Sequence, residues 1–350
     1  MCKVIFLTEM SMENPGKWNS VTEYVRSGGN KSAFYSKLKV TPEKDLPSAS
    51  TIATVTTNIH QQNISRTDKW LMVNGIGGGR ARDLASKINE HNLKLVPWVG
   101  VAALLESSDT PLESGRAYCF LPLPVKTGLP VQINGYFELS SNRRDIWHGT
   151  DMTGVGQLRS EWNSVLLEDV IGPAYARLIL EATRIIGFND QFLSLWPTSL
   201  VDKPWMSVVT SMYRSLARLP VFWSDIRGGS WLKLDEVIMI PHAVNNVDNL
   251  TSILLHEGVK ITRLPNKHVE MILKLEENVK FLSPEYLKSV LIAPGPHPYL
   301  QNIEHVTSLL DYMLSNLENN VTLFPFITYS RSRNLNCYKE YHLFLYGVVK

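Results

Sequence analysis

The stretch GRAYCFLPLPVKTGLPVQINGYFELSSNRRDIW, Gly115 to Trp147, brings apolar alternation, turn chemistry and clustered charge closer together than any other part of the 350-residue chain. Its two runs rich in β-branched, aromatic and aliphatic residues, Arg116 to Leu123 and Val131 to Leu139, predict strands. Lys126-Thr127-Gly128 between them suits a reversal, so a hairpin turning at that point is expected. Pro122, Pro124 and Pro130 lack a backbone donor, which confines them to strand ends, bulges or edges and predicts an irregular edge hairpin. Beyond the second run, Ser140-Ser141-Asn142-Arg143-Arg144-Asp145 sets adjacent guanidinium groups just past a strand, where an anion could be met. Arginine forks two hydrogen bonds to phosphate or carboxylate. Asn142, Arg143 and Arg144 are therefore the candidate phosphate-sensing site. In the alternative reading the arginines pair with Asp145 or Glu138 inside the fold.

Upstream, Val4 to Thr8 predicts a strand, and Trp18, Val21, Tyr24 and Val25 have helical spacing after a Pro15-Gly16 break. A strand opening so near the N-terminus suggests a fragment whose partner strands precede it. Ser27 to Leu46 is polar and reads as a loop with room for one strand. Thr51 to Ile59 and Lys69 to Asn74 are strand candidates. Gly75 to Gly79 and the amphipathic run Arg80 to His91 complete a strand, glycine loop, helix order that could cradle a phosphate. Arg80 stands where a dinucleotide fingerprint has its last glycine and no P-loop lysine follows, so the loop is read as a plain connection. Leu93 to Leu105 is a strand run broken by Pro97.

Downstream the period changes. Arg159 to Gly187 recurs helically and should kink or divide at Gly172-Pro173. Met206 to Leu219 is a second helix, with Arg214 and Arg218 four apart on one face, a spacing read first as a solvated stripe and second as a partner site. From Pro220 short apolar runs alternate with helices near Val247 to His256, Asn266 to Lys274 and Pro284 to Leu291. Ser283-Pro284-Glu285 reads as an N-cap with proline at the first helical position. The predicted architecture is mixed α/β (α+β). A β-rich first part over 1–150 with an edge hairpin is followed by a helical α/β part over 157–326, and 330–350 is a divergent tail expected to be poorly ordered.

Composition narrows the function. With 44% hydrophobic and 19% charged residues the chain can bury a core. A formal net charge of +2 supplies no basic field for nucleic acid. The three cysteines are scattered, which predicts neither a disulfide framework nor a zinc site and favours a reducing compartment, the cytoplasm. No run has transmembrane length, so no membrane partner is expected. Histidines and acids lack metal-site spacing and no nucleophile elbow occurs, so neither a metal, a cofactor nor catalysis is expected.

The phrase F-LPLP-TGLPV-NGYF-L-SSNRRD-W, from Phe120 to Trp147, resembles the repeated unit of the sacsin repeat family, which is related to the ninety-kilodalton heat-shock chaperones. The resemblance continues through Trp162-Asn163 and Pro173-Ala174-Tyr175 towards residue 325. It implies a cytosolic co-chaperone working with the heat-shock protein seventy machinery on unfolded client proteins. Asp-x-Gly-x-Gly and the glycine-rich lid of that class's nucleotide domain are not recognisable here. The resemblance therefore implies a non-enzymatic share of the work, holding or scaffolding clients. Trp196, Trp205, Phe222, Trp223 and Trp231 are the candidate client contacts, with core packing as their alternative role. A second implication is an arginine, Arg143 or Arg144, sensing a phosphate held by a separate domain.

Overall fold

In a computed structural model, residues 6–26, 31–59, 64–88, 95–108, 114–149, 153–241, 247–275, 278–292 and 302–315 are described. The first part is built on one seven-stranded sheet. Its strands are β1 (Phe6–Met12), β2 (Ser48–Ile59), β3 (Ile64–Ile76), β4 (Trp98–Ser107), β5 (Arg116–Cys119), β6 (Leu121–Lys126) and β7 (Gln132–Gly135). Their order across the sheet is β1-β2-β3-β4-β7-β5-β6. All neighbours are antiparallel except β5 and β7.

An edge hairpin is present, but its turn is not at Lys126 to Gly128. β5 folds back onto β6 directly through Phe120, with Cys119 opposite Leu121, and Phe120 takes a left-handed φ of 62°. Val131 to Leu139 is not its second arm: β7 inserts between β4 and β5. Pro122 and Pro124 lie on β6, the outermost strand, where missing donors break no ladder. Lys126-Thr127-Gly128 does turn the chain, with Gly128 at φ 73°, and leads it past the start of β5. There Gly115 donates to Leu129 O at 2.7 Å and accepts from Thr127 N at 3.0 Å. A Cβ on Gly115 would stand 1.8 Å from Val131 O, so only glycine admits this crossing.

Both faces of the sheet are covered. Register places Leu71, Val73, Val101, Ala103 and Ile133 on one face, all buried at 0–1% exposure, and α5 (Gly172–Ile185) packs there on β3 and β4. Ala49, Thr51 and Ala53 point the other way, toward α1 (Pro15–Arg26), which packs on β2 and β3. Strand alternation sorted by period two thus becomes two helix-covered faces.

The segment expected as a loop from Ser27 to Leu46 instead contains α2 (Lys31–Val40). Phe34, Tyr35 and Leu38 are buried, Phe34 meets Tyr24 edge-on at 6.2 Å, and Tyr35 OH donates to Leu95 O at 2.8 Å. Polar composition hid an apolar stripe that only a neighbouring helix makes visible. α3 (Gly79–Ile88) follows the glycine loop.

The long downstream helix is divided where proline demands it. α4 (Val155–Val165) runs into a π-helical stretch, Leu166–Ile171, and α5 then begins at Gly172-Pro173. Pro173 cannot donate, and the widened turn before it absorbs the lost bond without a break. Next come α6 (Asp190–Ser194), α7 (Trp205–Leu216), a small hairpin of β8 (Phe222–Ser224) and β9 (Ser230–Leu232), α8 (Val247–His256), α9 (Asn266–Leu275), α10 (Pro284–Ile292) and α11 (Ile303–Ser315). The apolar runs at Val237 and Val259 meet only in a single parallel bridge, Ile238 to Ile261.

The chain forms two compact units, and they do not divide at Gly149 to Gly156 as its polar composition suggests. One unit comprises the described residues up to Met239 together with 258–280; the other comprises 240–257 with those from 281 onward. The physical reason is that α4, the π-helical stretch and α5 seal the sheet rather than founding a separate core. In the second unit Tyr312 OH donates to Leu282 O at 2.6 Å and Asn249 Nδ2 to Ser308 Oγ at 3.2 Å. There the expected N-cap is formed, Tyr286 N donating to Ser283 Oγ at 3.1 Å. The tail 330–350 lies outside the described residues.

His268 on α9 makes stability pH-dependent. It is 7% exposed, with its Nε2 3.0 Å from Leu193 O as the donor and its Nδ1 buried without a partner among the described residues. Burial, only partly opposed by that hydrogen bond, holds its pKa below the ordinary 6.5. The unfolded chain therefore takes up a proton near pH 6.5 that the folded chain refuses. Stability from this group is complete above that pH and declines as the pH falls toward the lower folded value. The thermal midpoint should drop on acidification from about pH 7.5 to about pH 5.5, and His268→Gln, which keeps the donor without the titration, should flatten that part of the profile.

Candidate functional site

The loop carrying Asn142, Arg143 and Arg144 is closed at its base and bonded within itself. Leu139 and Ile146 form an antiparallel bridge, and Trp147 N donates to Glu138 O at 3.1 Å. Within it Asn142 Oδ1 accepts from Arg144 N at 3.0 Å and from Ser140 Oγ at 2.6 Å, an Asx-type turn. Arg143 holds φ at 56°, a conformation uncommon for a residue with a side chain.

Its base is fastened by Asn163 on α4, which is fully buried. Asn163 Oδ1 accepts from Glu138 N at 2.9 Å, and Nδ2 donates to Glu138 O and Trp147 O, each at 2.8 Å. Next to it Trp162 is also fully buried and donates from Nε1 to Tyr136 O at 2.8 Å. The neighbours Trp162 and Asn163 thus tie both ends of the arginine loop to a core helix.

Arg143 and Arg144 are exposed, and neither forms an ion pair or side-chain hydrogen bond among the described residues. The internal pairing does not occur because Glu138 faces Arg159 at 3.4 Å instead. Burial raises the Glu138 pKa and Arg159 opposes the rise. Arg143 lies close enough to Cys119 to favour its thiolate, yet burial is the larger influence and pushes that thiol up. Cys119 is a buried core thiol, its Sγ 3.5 Å from Phe137 O.

The hairpin turn presents a second feature. Phe120 and Leu121 are 59% and 68% exposed. Phe120 stacks on Trp98 at 5.9 Å between ring centroids and meets Tyr136 edge-on at 5.3 Å. Asn134 Oδ1 accepts from Phe120 N at 3.0 Å, securing the strained turn. An exposed apolar pair is thereby held in place on an aromatic bed. The sequence signal for it was adjacent apolar residues directly before Pro122 on an edge strand.

Among the candidate contact aromatics, Trp196, Trp205 and Phe222 are 1–3% exposed and belong to the core. Trp196 packs edge-on against Tyr213 and Phe222, and Trp205 against Phe137. Trp223 and Trp231 are half-buried, 5.1 Å apart, with Phe188 stacked on Trp223 at 6.0 Å. Of the five, these two retain surface for a partner.

The glycine loop is packed against protein. A Cβ on Gly77 would meet Val170 at 2.4 Å, so glycine serves helix contact rather than phosphate approach. Arg80 forks to Asp169, Nε to Oδ2 at 3.0 Å and Nη2 to Oδ1 at 2.7 Å, and also reaches Glu168. These acids raise its already high pKa further. No group of three or more potential metal ligands occurs among the described residues, and no helix there is long and apolar enough to cross a membrane.

Fold and site define a mixed α/β protein whose sheet edge displays an apolar turn and whose helix-anchored loop displays two free guanidiniums. The chain is similar to human sacsin: over 321 aligned residues the two are 29% identical, covering 81% of this chain. It spans 7% of sacsin's length. No family model matches the chain, and no solved structure matches it.

Proposed function

We propose that this chain is a non-enzymatic part of a sacsin-like co-chaperone that holds unfolded clients and limits their aggregation alongside the heat-shock protein seventy machinery in the cytoplasm. The observation that carries this reading is the Phe120-Leu121 turn, an apolar surface kept outward by a strained backbone instead of folding into the core. Relatedness to sacsin supports the chaperone context. A thermally unfolding client, followed by light scattering, should aggregate less with equimolar chain present. The double change Phe120→Gly, Leu121→Ser removes the apolar surface while glycine suits the φ of 62°; it should abolish at least about half the protection while costing only the Phe120 ring contacts with Trp98 and Tyr136, about 1–2 kcal/mol of stability. Absence of protection by the parent chain overturns the reading.

The free Arg143 and Arg144 favour a second reading, a phosphate-sensing arginine supplied to a nucleotide held by a separate heat-shock-chaperone-like domain. Under that reading, changing both arginines to alanine lowers ATP turnover by the reconstituted pair and leaves client protection intact; unchanged turnover removes it.

A further inference from the structure

We propose that the groove between α5 and α7 docks an extended acidic peptide segment of a partner protein, its carboxylates met by Arg177, Arg214 and Arg218. The groove encloses about 630 Å³ and is lined by these three arginines together with Leu180 and Leu219. Burial of Val208, Val209, Met212 and Leu216 leaves α7 its Arg214 side for solvent. Arg214 and Arg218 are exposed and form no side-chain hydrogen bond or ion pair among the described residues. Arg177, across the groove on α5, is steadied by donating to Ser48 Oγ. The acid in the lining, Glu181, has Arg184 3.8 Å away, so the groove keeps a surplus of positive charge.

Charge complementarity selects a carboxylate-bearing chain, since three arginines and one acid line the groove. Arg214 lies in the last turn of α7 and Arg218 in the turn just past its end at Leu216, while alternate side chains of an extended peptide lie about 6.8 Å apart. An extended chain can offer carboxylates to the separate arginines of the lining while its intervening side chains pass Leu180 and Leu219. A nucleic-acid strand fits less well. No aromatic side chain lines the groove for base stacking, and the whole chain, at +2, lacks the field that concentrates polyanions.

The inference is independent of the holding role, because Phe120 and Leu121 do not line the groove. Its test is fluorescence anisotropy of the full chain with a labelled short peptide of alternating glutamate and valine. Binding is expected, weakening with added salt, and the double change Arg214→Glu, Arg218→Glu should weaken it at least about tenfold. Because both side chains are exposed, the thermal midpoint should hold. Arg143→Ala with Arg144→Ala should leave the affinity unchanged, separating this groove from the arginine loop. No binding, equal binding of an alternating lysine and valine peptide, indifference to the charge reversal, or tighter binding of a single-stranded RNA oligonucleotide at the same arginines would each overturn the proposal.

Discussion

Asn163→Asp is expected to destabilise the protein by about 3 kcal/mol or more, since each orphaned buried polar group costs roughly 1–3 kcal/mol. The side chain is fully buried and makes three hydrogen bonds, one accepted and two donated, to the backbone at Glu138 and Trp147. Aspartate has nearly the same shape but no N–H donor. It leaves the Trp147 carbonyl without its donor, takes from the Glu138 carbonyl one of two donors, the other being Trp147 N, and places a carboxylate beside them. An ionised carboxylate there is unpaired, and keeping it neutral near pH 7 requires a strongly raised pKa. Urea denaturation should show a lower midpoint, and amides of residues 138–147 should exchange faster as the arginine loop comes loose. A variant within about 0.5 kcal/mol of the parent would show that Asn163 does not fasten this loop.

Trp162→Ala carries the other large effect, about 3–5 kcal/mol, the range for emptying a buried aromatic site. Trp162 is fully buried and its Nε1 donates to Tyr136 O, so truncation both opens a cavity and strands a carbonyl. Trp162→Phe keeps most of the packing and loses the hydrogen bond, and should cost clearly less. Chemical denaturation of the three proteins orders them parent, Phe, Ala. Equal losses for Phe and Ala would assign the stabilisation to the hydrogen bond alone.

Much of this architecture was legible in local chemistry. Pro122 and Pro124 identified a sheet edge because a missing N–H cannot sit in a central ladder, and they lie on the outermost strand. Gly172-Pro173 marked the division of a long helix, and Ser283 the cap of α10. Other features were misread for equally local reasons. Lys126-Thr127-Gly128 is a true turn, yet a turn does not say which strands pair across it. Here the strand after it inserts between β5 and β4, while the tight reversal falls on Phe120, whose side chain gives no turn signal. The polar segment containing α2 shows its helix only because Phe34, Tyr35 and Leu38 find apolar neighbours. The candidate aromatics divided likewise: hydrophobicity marks Trp196 and Trp223 equally, and packing buries the first and leaves the second at the surface.

By itself the sequence determined strand and helix periods, the edge position of the prolines, the paired guanidiniums after Ser141 and the resemblance to sacsin, all carried by residues close together in the chain. Tertiary structure decided which side chains meet: Glu138 with Arg159 rather than Arg143, Asn163 beneath the arginine loop, and Arg177 across a groove from Arg214. These pairs lie up to 37 positions apart in the chain, 177 to 214. The physical reason is that hydrogen bonds and ion pairs are short-ranged, so partners distant in sequence become partners only after packing brings their backbones together.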